Sequence, residues 1–379
     1  MESLHCDVLT LLKDELMRKI GLLICCLILL SCQNGDHKEL ITINVNVLKE
    51  DFNSIKNRIV IEKIIPLDDS IPIGKIRKAI IHKSNLFVHN KSKDEILCFN
   101  EKGELVYSIF SKGRGPEEYV SIQNFFIDFI NNKLVILSSD NKILTYSCNS
   151  GSLLNVSKIE NKAMILDGIQ LSKDVIAWYT MGPEYNLEIS NKGASKQFIP
   201  FIEARDMTFS EKAFSAREGN VLFVHGTCDY IYKVDKDTVN RLYFIDFGSY
   251  KIPVELYENP SQAMAVYEKQ DVATKLDFIV ENEGYLSFSY MLFPKASFNV
   301  KSQYSIYSKI DKKCYNFHSD TYLFPIYDCT DESFISLVSP AKISSVKESD
   351  IDRKIVEYIE HNNIREDANP MMVFWRLDY

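Results

Sequence analysis

The sequence predicts an all-β fold, a six-bladed β-propeller with four-stranded blades, and three observations carry that expectation. Apolar and aromatic runs of four to six residues, bounded by Asn, Asp, Ser and Gly, recur from Ile76 to the end of the chain, which is the signature of short strands and tight turns. The second strand of each unit is predicted to start at Leu86, Leu134, Val175, Val221, Tyr285 and Phe334, in steps of 48, 41, 46, 64 and 49 residues. A period of 40 to 50 residues carrying four short strands is that of a propeller blade. Finally, the sixth unit stops after its third strand, and an unassigned strand, Ile59–Leu67, precedes the first. That N-terminal strand is expected to close the last blade, leaving only short protected edges.

The pattern is cleanest in the first unit. Leu86-Phe87-Val88 and Glu95–Phe99 read as neighbouring strands, Asn100–Gly103 as a polar turn, and Leu105–Phe110 as the next strand. The unit closes on Gly113-Arg114-Gly115-Pro116-Glu117-Glu118-Tyr119, too rich in Gly and Pro to stay in a sheet. The third strand recurs as Ile143–Ser147, Leu187–Ser190, Ile231–Asp235, Ile306–Asp311 and Val373–Asp378.

Composition and the amino terminus bound the address. The 379 residues carry 44 Lys and Arg against 52 Asp and Glu, for a net charge of −8. The domain has no basic cluster, so nucleic acid is not an expected partner. Arg18-Lys19 precede the apolar run Ile20–Leu30, which ends at Ser31-Cys32. A spanning helix needs roughly 20 apolar residues; this shorter run fits a signal-peptide core. Residues 1–31 are read as a signal peptide, with Met17 as the expected start because Asp14 and Glu15 sit ahead of the basic pair. The Leu29-Leu30-Ser31-Cys32 boundary resembles a bacterial lipobox. That resemblance implies lipidation of Cys32, a membrane partner through the lipid, and a cell-envelope location, outer membrane or cell surface. Residues 32–57 are expected to be a polar tether and 58–379 the propeller. Cys98, Cys148, Cys228, Cys314 and Cys329 show no CxxC spacing and read as small buried hydrophobes.

The repeat, the lipobox and the first-blade ending together resemble the six-bladed β-propeller lipoproteins of Bacteroidota, of TolB-like or NHL-like type. Their pattern places a G-x-G-P-x-E-[YF] loop here and an N-P-hydrophobic last strand, matched by Asn369-Pro370-Met371-Met372-Val373-Phe374. The resemblance covers residues 58–379, implies the propeller fold, and carries no catalytic residue over.

Connections between strands one and two, and three and four, read as tight, whereas those between two and three and between blades are elaborated. Helical insertions are predicted at Gln262–Gln270, after Asn259-Pro260, and at Asp350–His361, where Ile351, Ile355 and Ile359 form one stripe. Long loops on one face of a rigid scaffold are where binding usually lives. The candidate binding residues are therefore Arg114, Glu117, Tyr119, Tyr185, His225, Tyr257, Tyr267, Phe293 and Phe298. The aromatics suit a glycan or an envelope protein, or alternatively form a second small core under the insertions. Gly113-Arg114-Gly115 is too short for a phosphate fingerprint, and the sequence has no G-x-S-x-G elbow or H-x-x-x-H pair. No cofactor is expected. The second functional reading is a propeller hydrolase or lactonase acting on a carbohydrate or related small molecule with a metal in the channel. Resemblance to sugar-lactonase-like propellers implies Asp128, Asp167 and Asp277 as candidates around it, residues that also serve as turn caps.

Overall fold

The structure, a computed structural model, describes residues 40–379 apart from 160–162, 183, 203–208, 218, 227, 253–259, 296, 298, 319, 347–352 and 379. The described fold is a series of six sheets. In the first, the strands Ile76–His82, Asn85–Asn90, Glu95–Phe99 and Leu105–Ile109 pair in chain order. The second repeats this with Ile122–Asp128, Lys133–Ser138, Lys142–Ser147 and Leu153–Lys158, and the third with Met164–Ser172, Val175–Met181, Tyr185–Asn191 and Ala194–Pro200. The fourth contains Phe214–Arg217, Asn220–Phe223, Tyr230–Val234 and Val239–Asp246; the fifth Val272–Glu281, Tyr285–Phe293, Lys301–Ser308 and Cys314–His318. The sixth takes Ile326–Cys329, Phe334–Val338 and Met371–Leu377 from the end of the chain and Ile59–Pro66 from its beginning. The second strands thus begin within one residue of the positions the repeat predicts. The first strand of each sheet lies against that of the next, and that of the sixth lies against that of the first. This arrangement is a β-propeller.

The closing strand pairs antiparallel with the last one, from Ile59 opposite Leu377 to Pro66 opposite Met371. Gly103, in the first sheet's third turn, sits against it: φ is +82°, and a side chain there would meet the Pro66 carbonyl at 2.1 Å. Only glycine tolerates both the left-handed backbone and the close approach.

The expected tether is where the structure departs from the sequence reading. Ile41–Asn44 forms a fifth strand, parallel to Val239–Asp246, with Ile41 opposite Tyr243 and Asn44 opposite Asp246. Ile43, Val45 and Val47 are buried, because Ile-Thr-Ile-Asn-Val-Asn-Val alternates apolar and polar side chains as a half-buried strand does. The chain then crosses the fifth sheet's outer strand. The Asp51 N–H donates to the Asn316 carbonyl at 2.8 Å, and the Asn316 and His318 N–H groups donate to the Asp51 and Glu50 carboxylates at 3.0 and 2.8 Å.

The two insertions predicted as helical are so, at Pro260–Lys269 and Arg353–His361, with a short helix at Pro340–Ser344. Ile355 is fully buried among Ile59, Ile61 and Trp375, and the Lys354 ammonium donates to the Ile61 carbonyl at 2.9 Å. This insertion therefore covers the closing strand. The five cysteines of the fold are free thiols. Among the described residues no helix is long and apolar enough to cross a membrane.

Candidate functional site

Two polar constellations stand out, one on the propeller axis and one at its rim. The axial one is built by a repeated device. Pairing between first and second strands shifts register between Ile76 and Lys78, Ile122 and Asn124, Ile165 and Asp167, Thr274 and Asp277, and Ile326 and Asp328. A bulge re-aims the residue that follows it. Here that residue is polar in each case, and Lys212 supplies the fourth sheet's counterpart.

Lys78 is the hub of the first three sheets. Its ammonium donates to both Asp167 carboxylate oxygens at 2.9 Å and to Asn124 Oδ1 at 3.2 Å. Asp167 also accepts from the Gly168 and Ala213 N–H groups at 2.9 and 3.3 Å. Lys212 links the last three by different means, its ammonium donating to the Tyr327 carbonyl and its backbone N–H to Asp277. Asp277 accepts from the Glu211, Lys212 and Phe278 N–H groups at 2.9, 2.8 and 2.8 Å, and Asp328 accepts from the Ile81 N–H at 2.8 Å. Burial pushes the Lys78 ammonium below the usual lysine range despite Asp167. It pushes the Asp167 and Asp277 carboxyls above the usual carboxylate range, against Lys78 and against the backbone donors respectively.

Asp167 and Asp277 are thus committed to internal partners. Asp128 caps a turn, accepting from the Ile130 and Asn131 N–H groups at 3.1 and 2.9 Å. Among the described residues no three His, Cys, Asp or Glu side chains are placed to hold a metal. The cavity beside the ring, lined by Lys78, Lys212, Asp328, Phe126 and Phe214, measures about 40 Å³. That is room for a water molecule, far below the several hundred Å³ of an ordinary ligand pocket.

The rim constellation holds two of the residues singled out from the sequence. Arg114 and Glu117 are exposed and line a groove of about 660 Å³ with Pro116, Lys142 and the outer strand Leu153–Lys158. The neighbouring Glu118, which the sequence reading passed over, holds the loop. Its carboxylate accepts from the Gly115 N–H at 2.7 Å, and a side chain at Gly113 would meet the same oxygen at 1.9 Å. Lys142 fixes the loop from the next sheet, donating to the Gly115 and Glu118 carbonyls at 2.9 and 2.8 Å.

The remaining sequence candidates do not gather there. Tyr119 is fully buried, its hydroxyl donating to the Asp94 carbonyl at 2.9 Å; burial raises its pKa. His225 is also fully buried, stacked beside Phe223 and near Tyr232. Both serve packing, since a ligand at the surface cannot reach them. Tyr267 and Phe293 meet edge to face at 5.2 Å and, with Ile252, Val266 and Val272, make the second small core that was the alternative reading. Tyr185 is half-buried and donates to Glu188 at 2.6 Å. Cys32, Tyr257 and Phe298 lie outside the described residues. A further groove of about 380 Å³ opens on the tight-turn face between Ile130, Leu171, Arg217 and Lys236.

Comparison with known proteins bears on fold and family. The structure is similar to that of a Bacteroides fragilis protein named as a candidate exported protein (BF0058), with a TM-score of 0.72 and 16% identity, covering 90% of this chain and 100% of that one. It is also similar to a member of the duf4221 family from Bacteroides vulgatus, with a TM-score of 0.50 and 11% identity over 84% and 97% of the two chains. At these identities the likeness concerns the fold. No curated protein matches the sequence. A family model described as a domain of unknown function, DUF4934, matches residues 40–376, and the chain therefore belongs to that family.

Proposed function

We propose that this protein is a lipid-anchored, six-bladed envelope propeller that binds a protein or glycan partner through the face carrying its long connections. One observation carries the reading. Among the described residues, the three helices beyond Gly248 and the groove of Arg114 and Glu117 all belong to connections of that face, while the opposite turns are short. Phe110, Val120, Met164, Phe209 and Val300 are exposed on the same connections or at their ends. The paired-up axis and its small cavity favour binding over the hydrolase reading, which needs a pocket there. Membrane attachment rests on the sequence around Cys32, and the outer membrane is the proposed address.

Site-specific photocross-linking in intact cells tests the face. A photoreactive residue at Phe110 or Phe209 is expected to give discrete adducts, and one at Ile130 or Ile310, exposed on the opposite face, is not. Adducts from Ile130 and Ile310 alone contradict the proposal. For the anchor, Cys32→Ala is expected to release the protein from the membrane fraction without changing its melting temperature. Retention of that variant in the membrane contradicts the lipid reading.

A further inference from the structure

We infer that the outer edge of the second sheet, Leu153–Lys158 beside Arg114, is a docking site for an extended acidic peptide segment of a partner protein, added as a fifth strand. The inference rests on the binding-face reading and names the class of partner. Four observations support it.

Among the described residues Leu153–Lys158 has a strand neighbour on one side only, so its outward N–H and C=O groups form an open ladder. Its register with the inner neighbour shifts between Leu153 and Asn155 and then runs regularly to Lys158, leaving a straight four-residue template. The other edges are managed. The outer strands of the fourth, fifth and sixth sheets are covered by residues 41–51 and by Arg353–His361, which leaves on the fourth only the very short edge of Ile41–Asn44. The first sheet's Leu105–Ile109 is tied to the second by the Tyr107 hydroxyl, which donates to the Cys148 carbonyl at 2.7 Å. The third sheet's Ala194–Pro200 ends on a proline and has Lys196 bonded to the Asp237 carbonyl at 2.9 Å, both guards against edge pairing.

The fold itself shows what such an edge accepts. On the fourth sheet, the equivalent outer strand takes Ile-Thr-Ile-Asn, an extended segment alternating apolar and polar residues. On the second sheet that place is open, and it widens into the 660 Å³ groove of the Arg114 loop. Charge then selects the occupant. The exposed cations Arg114 and Lys158 line the groove against the single exposed carboxylate of Glu117, while Lys142 is paired with Asp140 at 3.0 Å and holds the loop. Main-chain hydrogen bonds would supply affinity and the cations preference, as in other strand-addition complexes. The exposed Leu154 offers an apolar contact.

The test uses the full chain in detergent and a dye-labelled hexapeptide alternating Asp and Val. Its binding is followed by fluorescence anisotropy at low salt, and the site is mapped by amide hydrogen exchange. The inference expects protection of Asn155–Lys158, loss of binding when alternate peptide nitrogens are methylated, and no binding of the Lys-Val counterpart. Arg114→Glu and Lys158→Glu should each weaken binding by about fivefold or more, the scale of one exposed ion pair, with the melting temperature unchanged. Absence of binding, equal binding of the methylated or Lys-Val peptide, or protection elsewhere would overturn it. Protection on other connections of the same face would sink the edge site and leave the binding face standing, whereas cross-links confined to Ile130 and Ile310 would remove the face itself.

Discussion

The first three sheets and the last three share an interior and differ at the rim. Inside, each trio has a buried lysine, Lys78 bonded to Asn124 and Asp167 and Lys212 bonded to the Tyr327 carbonyl, and the trios are joined where the Ala213 N–H meets Asp167 and the Ile81 N–H meets Asp328. Outside, the last three sheets are wrapped by residues 41–51 and a late helix, while among the described residues the first three gain no added strand or helix: the first is tied by Tyr107, the third is guarded by Pro200 and Lys196, and the second is left open. A shared interior with unequal edges teaches that covering a propeller is a separate task from closing it. The covered half presents only the four-residue edge of Ile41–Asn44 on its fourth sheet; the other half keeps the longer outer strand Leu153–Lys158 available on its second.

The largest expected effect comes from erasing that difference. Deleting residues 40–51 exposes the Val239–Asp246 edge and removes Ile43, Val45 and Val47 from the core. At about 1.5–3 kcal/mol for each buried aliphatic side chain, the loss is roughly 5 kcal/mol or more. Thermal unfolding is expected to move down by about 10 °C or more, with self-association visible by light scattering. An unchanged melting curve would show that the segment only decorates the rim.

A smaller effect probes the shared interior. Lys78→Met leaves the Asp167 carboxylate buried without its cation, which costs about 3–5 kcal/mol. Adding Asp167→Asn removes the stranded charge and keeps one acceptor oxygen, giving up the bond to either the Gly168 or the Ala213 N–H, so the double variant should recover part of the loss in denaturant unfolding. If the double variant is as unstable as the sum of both single variants, the pair is not coupled as described.

The smallest concerns pH. Burial raises the Asp277 carboxyl above its ordinary value of 3.8. The native state therefore holds that proton more tightly than the unfolded chain does. The corresponding stability is present at acid pH and is lost as pH rises through the raised value. Asp277→Asn, which cannot titrate, gives up one backbone acceptor at every pH but escapes that loss. Its deficit relative to the parent protein should narrow as pH rises from 4 towards neutrality in parallel melting series. A deficit that widens with pH would mean the carboxyl is held ionised instead.

Much of the fold is legible in the sequence because strand and turn chemistry repeat in phase. Leu86, Leu134 and Val221 each fall one residue inside an observed second strand, and Val175, Tyr285 and Phe334 begin theirs. Ile59–Leu67 is recognisable as the closing strand because every other strand has a place. The fifth strand of the fourth sheet escapes notice because its Thr and Asn residues read as a tether, although the alternation of Ile41, Ile43, Val45 and Val47 is a strand signal. The axial ring is hidden for another reason. Lys78, Asn124 and Asp328 sit two residues after an Ile at the start of each first strand, and the pattern appears only when first strands are aligned as the second strands were. Side-chain direction is not legible at all. Nothing local tells Glu117 from Glu118, of which one faces solvent and the other holds Gly115, and Tyr267 and Phe293 read as exposed until their rings are seen to meet.

Amide hydrogen exchange of the unliganded protein tests the unequal rim most directly. Slow exchange is expected for the inward amides of Ile43 and Val45 and across the outer strand Val239–Asp246. Fast exchange is expected for the outward amides of Asn155–Lys158, at the same depth in an equivalent strand. Equal protection of the two outer strands, or rapid exchange of the Ile43 and Val45 amides, would contradict that inequality.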